Sequence, residues 1–257
     1  MLWLDNSTIA IFFSQKSDGD MYFENKITQI HTDLKRINAD KRNVKVKLNR
    51  AKFFEENNID SARLANIKAV HGNLIYKVEE KDLGNGALDA YTRIPDTDGL
   101  ITNIKNSYLM VTGADCFPVF FYDPKKQVIG IAHCGWRGII KEIIKEMILK
   151  LRNSFGSEPA DINVWIGPGI KSCHYSVNKE RAELFSKDYK NHIIERGHQI
   201  FLDLAGIITL QSTVAGVKPE KIITHPDCTF CEKDKWSSYR REKENYQGAT
   251  AFIIYLK

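Results

Sequence analysis

No apolar run in this sequence approaches the roughly 20 residues that a membrane-spanning helix needs, which excludes a helical membrane protein. Linkers rich in Pro, Gly or Ser, internal repeats and low-complexity tracts are also missing, so a single domain over residues 1–257 is expected. Cysteine is sparse and its count, five, is odd. The opening MLWLDNSTIAIFF has no basic side chains ahead of its apolar ones and no small-residue cleavage site. A secreted disulfide framework is therefore set aside, reduced thiols are expected, and a cytoplasmic location follows. Excess charge of one sign is small as well: 37 Lys and Arg against 32 Asp and Glu leave a net charge of +5. That balance does not call for a nucleic-acid partner. The densest basic stretch, KRINADKRNVKVKLNRAK from Lys35 to Lys52, lacks interleaved aromatics and a recognition motif, and reads as a solvated helix or edge strand.

Apolar material, by contrast, is ample, since 43% hydrophobic residues in 257 can fill a sizeable core. The first 45 residues carry little readable pattern. AKFFEENNIDSARLANIKAV has helix-like spacing and ends in His71-Gly72-Asn73, where Gly and Asn signal a turn. NLIYKVEE, LIT, SYLMVT, FPVFFYD and QVIGIAH are short β-type runs. Ile139, Ile140, Ile143, Ile144, Met147, Ile148 and Leu151 recur at helical spacing and predict one long helix, stopped at Gly156. INVWIGPGI, KIITHPD and GATAFIIYLK read as further strands, and ELFSKDYKNHI and DLAGIITLQSTVAGV as helices. Hairpins mixed with helices predict an α/β sandwich with a mixed β-sheet.

Within this pattern one constellation carries chemistry. FPVFFYD and QVIGIAH are joined by the turn signal Asp123-Pro124-Lys125-Lys126 and predict an antiparallel hairpin. With residues near 122 and 128 facing, position 116 or 117 falls opposite 133, which makes Cys116 and His133 neighbours able to share a metal or a proton. The turn Cys134-Gly135-Trp136-Arg137-Gly138 leads from strand into helix, so backbone N–H groups and the Arg137 guanidinium can converge on an anion; the plainer reading is an ordinary βα turn with Trp136 in the core. A catalytic zinc typically takes three protein ligands and leaves one position open. Candidates for the third are His31, His71, His174, His192, His198, His225, Cys173, Cys228 and Cys231, with His71 favoured by its turn and its polar neighbour Asn73. Cys228-Thr-Phe-Cys231 has CxxC spacing but no second pair of a zinc ribbon in sequence, and reads as a lone pair of thiols. Tyr239-Arg240-Arg241 is a solvated surface or, if Trp236-Ser-Ser packs into the cleft, an anion clamp.

Taken together, AVHGN, TGADCFPVFFYD, GIAHCGWRG, IGPGIKSCHYSV, HPDCTF and SSYRR resemble the YfiH-like family, also called the laccase-domain or polyphenol-oxidase family and associated with purine nucleoside phosphorylase activity. The matches run in order from about residue 49 to the C-terminus. The resemblance implies the YfiH-like, toxin-deamidase-like fold and a zinc held by His71, Cys116 and His133, with copper as the other metal. It implies phosphorolysis of adenosine, inosine or methylthioadenosine to a base and ribose 1-phosphate, with adenosine deamination as a second activity. Substrate contacts implied in the same way are Arg50, Asn73, Arg137, Cys228 and Arg240, and the family leans towards a monomer.

Departures from the family pattern lie around the ligands. The usual Gln before VHG is Ala69, the Ala of HAGWRG is Cys134, CCYEV has become Cys173-His174-Tyr175-Ser176-Val177, and the Arg after the late Gly is Ala249. Such neighbours tune ligand orientation and pocket charge. Other readings are a cysteine hydrolase using Cys116 as thiolate and His133 as base, a copper-dependent phenol oxidase, an amidase editing cell-wall precursors, and an inert metal-binding scaffold. Against the phenol oxidase stands the lack of His-x-His pairs that a multicopper centre would bring.

Overall fold

A computed structural model describes residues 1–24, 33–246 and 248–257. His31 lies outside the described residues. The predicted α/β class is found, built as four layers around two large sheets. The first sheet has five strands, β1 (Leu2–Asp5), β2 (Ile9–Phe13), β3 (Leu64–Asn66), a later β6 (Ser107–Gly113) and the C-terminal β14 (Thr250–Leu256), in the order β1-β2-β14-β6-β3. The second has six strands: β4 (Ile75–Lys77), β5 (Gly99–Thr102), β7 (Phe117–Asp123), β8 (Val128–Cys134), β9 (Asn163–Ile166) and β13 (Ile222–Thr224), in the order β13-β9-β7-β8-β5-β4. Both are mixed, because β3 runs parallel to β6, β4 to β5 and β13 to β9, while the other pairs are antiparallel. A small third sheet joins β10 (Ser176–Val177), β11 (Ile193–Arg196) and β12 (Gln199–Leu202).

Period-two alternation assigns each strand face to a layer. From β7, Phe120 and Tyr122 enter the core between the large sheets, with Ile129 and Ile131 of β8, Leu109 and Val111 of β6 and Phe252 and Ile254 of β14. Val119, Phe121 and Ala132 face the other way, onto α3 (Ile143–Phe155) and α5 (Leu204–Val214). α3 contributes Ile143, Ile144, Met147, Ile148 and Leu151, each buried aliphatic side chain being worth on the order of 2 kcal/mol. The outer face of the five-stranded sheet, with Met110 and Ile253, is covered by Phe53 and Phe54 of α1 (Asp33–Glu56). The basic segment is thus a helix, and Lys41, Lys45, Lys47 and Lys52 on it are exposed.

Three expectations need correction. The helix predicted over residues 51–70 ends at Glu56, after which Leu64–Asn66 form β3. The long helix after Gly138 is two helices, α2 (Trp136–Ile140) and α3, separated where Glu142 adopts a left-handed backbone with φ 59°. The helix expected over ELFSKDYKNHI begins earlier and stops sooner, as α4 (Lys179–Ser186). α5 and the strands at Ile75, Gly99, Ser107, Phe117, Val128, Asn163, Ile222 and Thr250 stand as expected. Among the described residues no helix is long and apolar enough to cross a membrane.

Candidate metal centre

The hairpin of β7 and β8 has the expected turn, with Asp123 paired to Val128, but its register sets Pro118 opposite His133. This differs by one or two residues from the predicted pairing. Carried on by two residues, the observed register places Cys116 opposite Gly135 and diagonal to His133 on the same sheet face, within reach of an imidazole. His71 arrives from the turn before β4. Its ring lies 4.9 Å from that of His133, at 74°. The ligand atoms of His71, Cys116 and His133 all lie within 4.8 Å of one another.

A residue that the sequence reading passed over organises the trio. Asp98, fully buried immediately before β5, sits 3.0 Å from Nδ1 of His133 through its Oδ1. The same carboxylate accepts N–H bonds from Val70 at 3.2 Å, His71 at 2.9 Å and Gly72 at 2.6 Å. Those bonds stabilise the left-handed backbone of His71, φ 58°, which a non-glycine residue otherwise adopts at a cost of about 1–2 kcal/mol. One buried charge thus orients His133 and fixes the turn that delivers His71. Burial alone would raise the pKa of Asp98, but His133 and the amides of Gly72 and Val70 hold it below its ordinary value. Only "PDTDG" marks Asp98 in the sequence, and that string reads as a turn.

Electrostatics around the sulfur follow from the same contacts. Burial opposes ionisation of Cys116, yet the charge and hydrogen bond of His133, aided by His71, bring its thiol down to about 6. His133 is held above its ordinary value against burial by the Cys116 sulfur and Asp98. Cys134, one residue further on, faces the helices and is pushed up by burial, so it is an inert core thiol. Gly135 closes the site from beneath. A Cβ there would lie 2.9 Å from His71 Cδ2 and 3.0 Å from Cys116 Sγ, so no side chain fits.

Two imidazoles and a thiolate suit a borderline-soft ion such as zinc, whose tetrahedral bonds of about 2.0–2.3 Å separate ligand atoms by roughly 3.3–3.8 Å. The trio supplies that donor set with its ligand atoms within 4.8 Å of one another, and the His133–Asp98 pair is the carboxylate–histidine arrangement that fixes a ligating ring, with Nε2 left as the donor.

Two cations gather on Trp136, the residue after Gly135. The Arg137 guanidinium stacks on Trp136 at 4.5 Å and that of Arg181 on the same ring at 4.6 Å. Arg240 lies 5.1 Å over Tyr175 and donates to Ser176 O at 2.7 Å. An open cleft of about 370 Å³ is lined by Ser176, Asn178, Arg181, His198, Gln199 and Arg240. α2 is only five residues long, so attraction for an anion rests on these side chains rather than on a helix terminus.

Other candidates fall elsewhere. Arg50 is fully buried and its three guanidinium nitrogens donate to the carbonyls of Met21, Gly86 and Ala87, so it pins α1 to two loops instead of binding phosphate. Asn73 donates to Lys141 O at 2.7 Å and ties the His71 turn to the break between α2 and α3. Cys228 is not beside Cys116: it belongs to a second cluster with Cys173, His174 and Cys231, which corrects the reading of CxxC as a lone thiol pair. His192 faces Asp203, and His225 packs among Trp3, Phe13 and Trp236. Trp236 lies in the core, donating to Asp227 at 3.0 Å, and Arg241 is spent on the carbonyls of Thr229, Phe230 and Trp236.

The family model described as multi-copper polyphenol oxidoreductase laccase matches residues 23–257. The chain belongs to this family. Among members of the laccase-like family, the purine nucleoside phosphorylase YlmD of Bacillus subtilis is 32% identical over 256 residues, covering 97% of this chain and 89% of that protein. Its namesake in Geobacillus stearothermophilus is 35% identical over 189 residues, 72% of this chain and 69% of the relative. The crystal structure of the hypothetical protein YfiH from Bacillus licheniformis superposes with a TM-score of 0.85 at 27% identity, covering 100% of this chain and 99% of that one. Despite the family's description, the described residues gather His, Cys, Asp or Glu into only two groups of three or more, and no His-x-His pair occurs.

Proposed function

We propose that this chain is a zinc-dependent purine nucleoside phosphorylase acting on adenosine, inosine or methylthioadenosine with inorganic phosphate, and that it deaminates adenosine as a second activity. The observation that carries the reading is the His71–Cys116–His133 trio, tethered through Asp98 and flanked by arginines; the printed names of the relatives support it. Bound at the trio, zinc would supply a Lewis acid that orients and polarises substrate or water.

The remaining work belongs to the chain. Arg137, Arg181 and Arg240 supply the positive charge that holds a phosphate dianion, and the aromatic rings beneath them limit their motion. In phosphorolysis a phosphate oxygen forms a bond to the ribose anomeric carbon while that carbon's bond to the base nitrogen breaks, the electron pair leaving with the base. Holding phosphate and nucleoside together removes much of the entropic cost of that encounter. Asp98 keeps His133 Nδ1 engaged, so the ring cannot turn during turnover. Five free thiols fit a reducing compartment such as the cytoplasm.

Incubation of the purified chain with adenosine and phosphate should release adenine, ribose 1-phosphate and inosine. In the His71→Ala variant kcat/KM should fall by about 100-fold or more. Equal product from the two proteins, or none from either, overturns the reading. Metal analysis of the same preparation separates zinc from copper, which this donor set also accepts.

A cysteine hydrolase is the second reading, because Cys116, His133 and Asp98 also stand in the order nucleophile, base and orienting carboxylate. An active metal-free protein that thiol alkylation silences would favour it.

A further inference from the structure

The second cluster lies at a junction of loops. Cys173 and His174 come from the segment between β9 and β10, and Cys228 and Cys231 from the segment between β13 and α6 (Tyr239–Glu242). The pairs are separated by residues 175–227, yet their four ligand atoms lie within 4.8 Å of one another. Cys173 Sγ is 3.7 Å from Cys231 Sγ, and Cys231 Sγ is 3.3 Å from His174 Nδ1. A tetrahedral zinc with Zn–S of about 2.3 Å and Zn–N of about 2.05 Å requires S···S near 3.8 Å and S···N near 3.6 Å. The observed separations are close to those values before any ion is added.

Supporting contacts are of the kind that metal-bound cysteines have. The amide of Lys171 donates to Cys228 Sγ at 3.4 Å, and the amide of Cys231 donates to the Cys228 carbonyl at 3.1 Å, which closes the CxxC turn. An N–H···S bond of this kind favours the thiolate over the thiol. The His174 ring is stacked on Phe230, with centroids 4.2 Å apart and planes at 16°, which fixes the direction of Nδ1. None of these side chains joins the His71–Cys116–His133 trio.

We infer that Cys173, His174, Cys228 and Cys231 form a second, structural zinc site. Four protein ligands leave no open position, so this ion would hold loops together and take no part in turnover. The ion would cross-link the segment after β9 to the segment after β13 beside the candidate catalytic centre. Thr229, between the two cysteines of the CxxC pair, donates to Asp115 Oδ1 at 2.7 Å, and Asp115 precedes Cys116. The amide of Arg240 donates to the other oxygen of Asp115 at 2.6 Å. The second site would therefore brace the residue next to the sulfur of the first.

Metal content of the full-length chain, purified with zinc under reducing conditions, tests the inference. Wild type should hold two zinc ions per chain, and both His71→Ala and the Cys173→Ser/Cys231→Ser double variant should hold one. Both cysteines are exposed, and circular dichroism checks that the double variant folds. As an independent measure, His71→Ala loaded with cobalt(II) should show the intense sulfur-to-metal charge-transfer bands of a three-thiolate tetrahedral site. Zinc content of the double variant equal to wild type overturns the inference. So does a cobalt-loaded His71→Ala protein without those bands, or an intact mass showing a Cys173–Cys231 disulfide in place of the second ion. Because these readouts are metal counts and spectra, they stand whether or not the phosphorolysis assay succeeds.

Discussion

Asp98 is the residue on which the candidate centre turns, since a single carboxylate holds a ring nitrogen of His133 and three amides of the His71 turn. Asp98→Asn preserves the shape and removes the charge. Loss of such an outer partner typically lowers metal affinity by about 10–100-fold, and competition with a chelator should show a shift of that size. Unchanged affinity would mean that the tether is dispensable. Cys116 and His133 were legible because a Pro-containing turn between two apolar runs puts strand ends together whatever the fold around them. His71 was favoured by its turn, and the family resemblance made it the third ligand. Asp98 was not legible, because an aspartate among Pro, Asp, Thr and Gly reads as a turn residue until the strand behind it is seen to be buried. Arg50 misled for the opposite reason: its charge suggested an anion, while helix packing had already enclosed it among carbonyls.

Strands were read more faithfully than helices, and the reason is physical. Alternation and flanking turns end a strand within a residue or two, whereas apolar spacing continues unbroken through the α2–α3 junction at Ile139, Ile140, Ile143 and Ile144. The break is a backbone event at Glu142, whose φ of 59° carries a steric penalty that glycine escapes. Glu142→Gly should therefore raise stability by about 0.5–1 kcal/mol in denaturant unfolding. The ion pair with Lys145 that it removes is exposed and worth little. A loss of stability would show that the Glu142 side chain contributes more than its contacts suggest. Register was the other weakness of the sequence reading, since a shift of one residue changes which face a side chain occupies.

At the scale of the molecule, the α/β class followed from mixed hairpins and helices, but the pairing of two large sheets did not. The strands that complete the five-stranded sheet come from both ends of the chain, β1 and β2 from a stretch with little pattern and β14 from the last residues. Ions bound at the two clusters, whose residues come from distant segments, would act on this architecture as a whole. Stripping metal with a chelator should lower the Tm, and restoring zinc at about 1,000 times its Kd should return about 4 kcal/mol of stability for each site filled. Acidification should release the ions in the same way, as protons compete for sulfur and imidazole. A melting curve insensitive to chelation would show that neither cluster binds metal in the folded protein.

The histidines at 71 and 133 share one buried anchor, and with Cys116 they stand on a floor that admits no methyl group, whereas the guanidinium groups at 137, 181 and 240 rest on ring faces and two of them, 181 and 240, line an open cleft. Substitution should therefore act differently on the two halves. A change in the first half disturbs ligands that are fixed by one another's supports, while a change in the second removes a single cation from an open face. The proposed reacting centre and the proposed recognition face can therefore be altered separately by substitution.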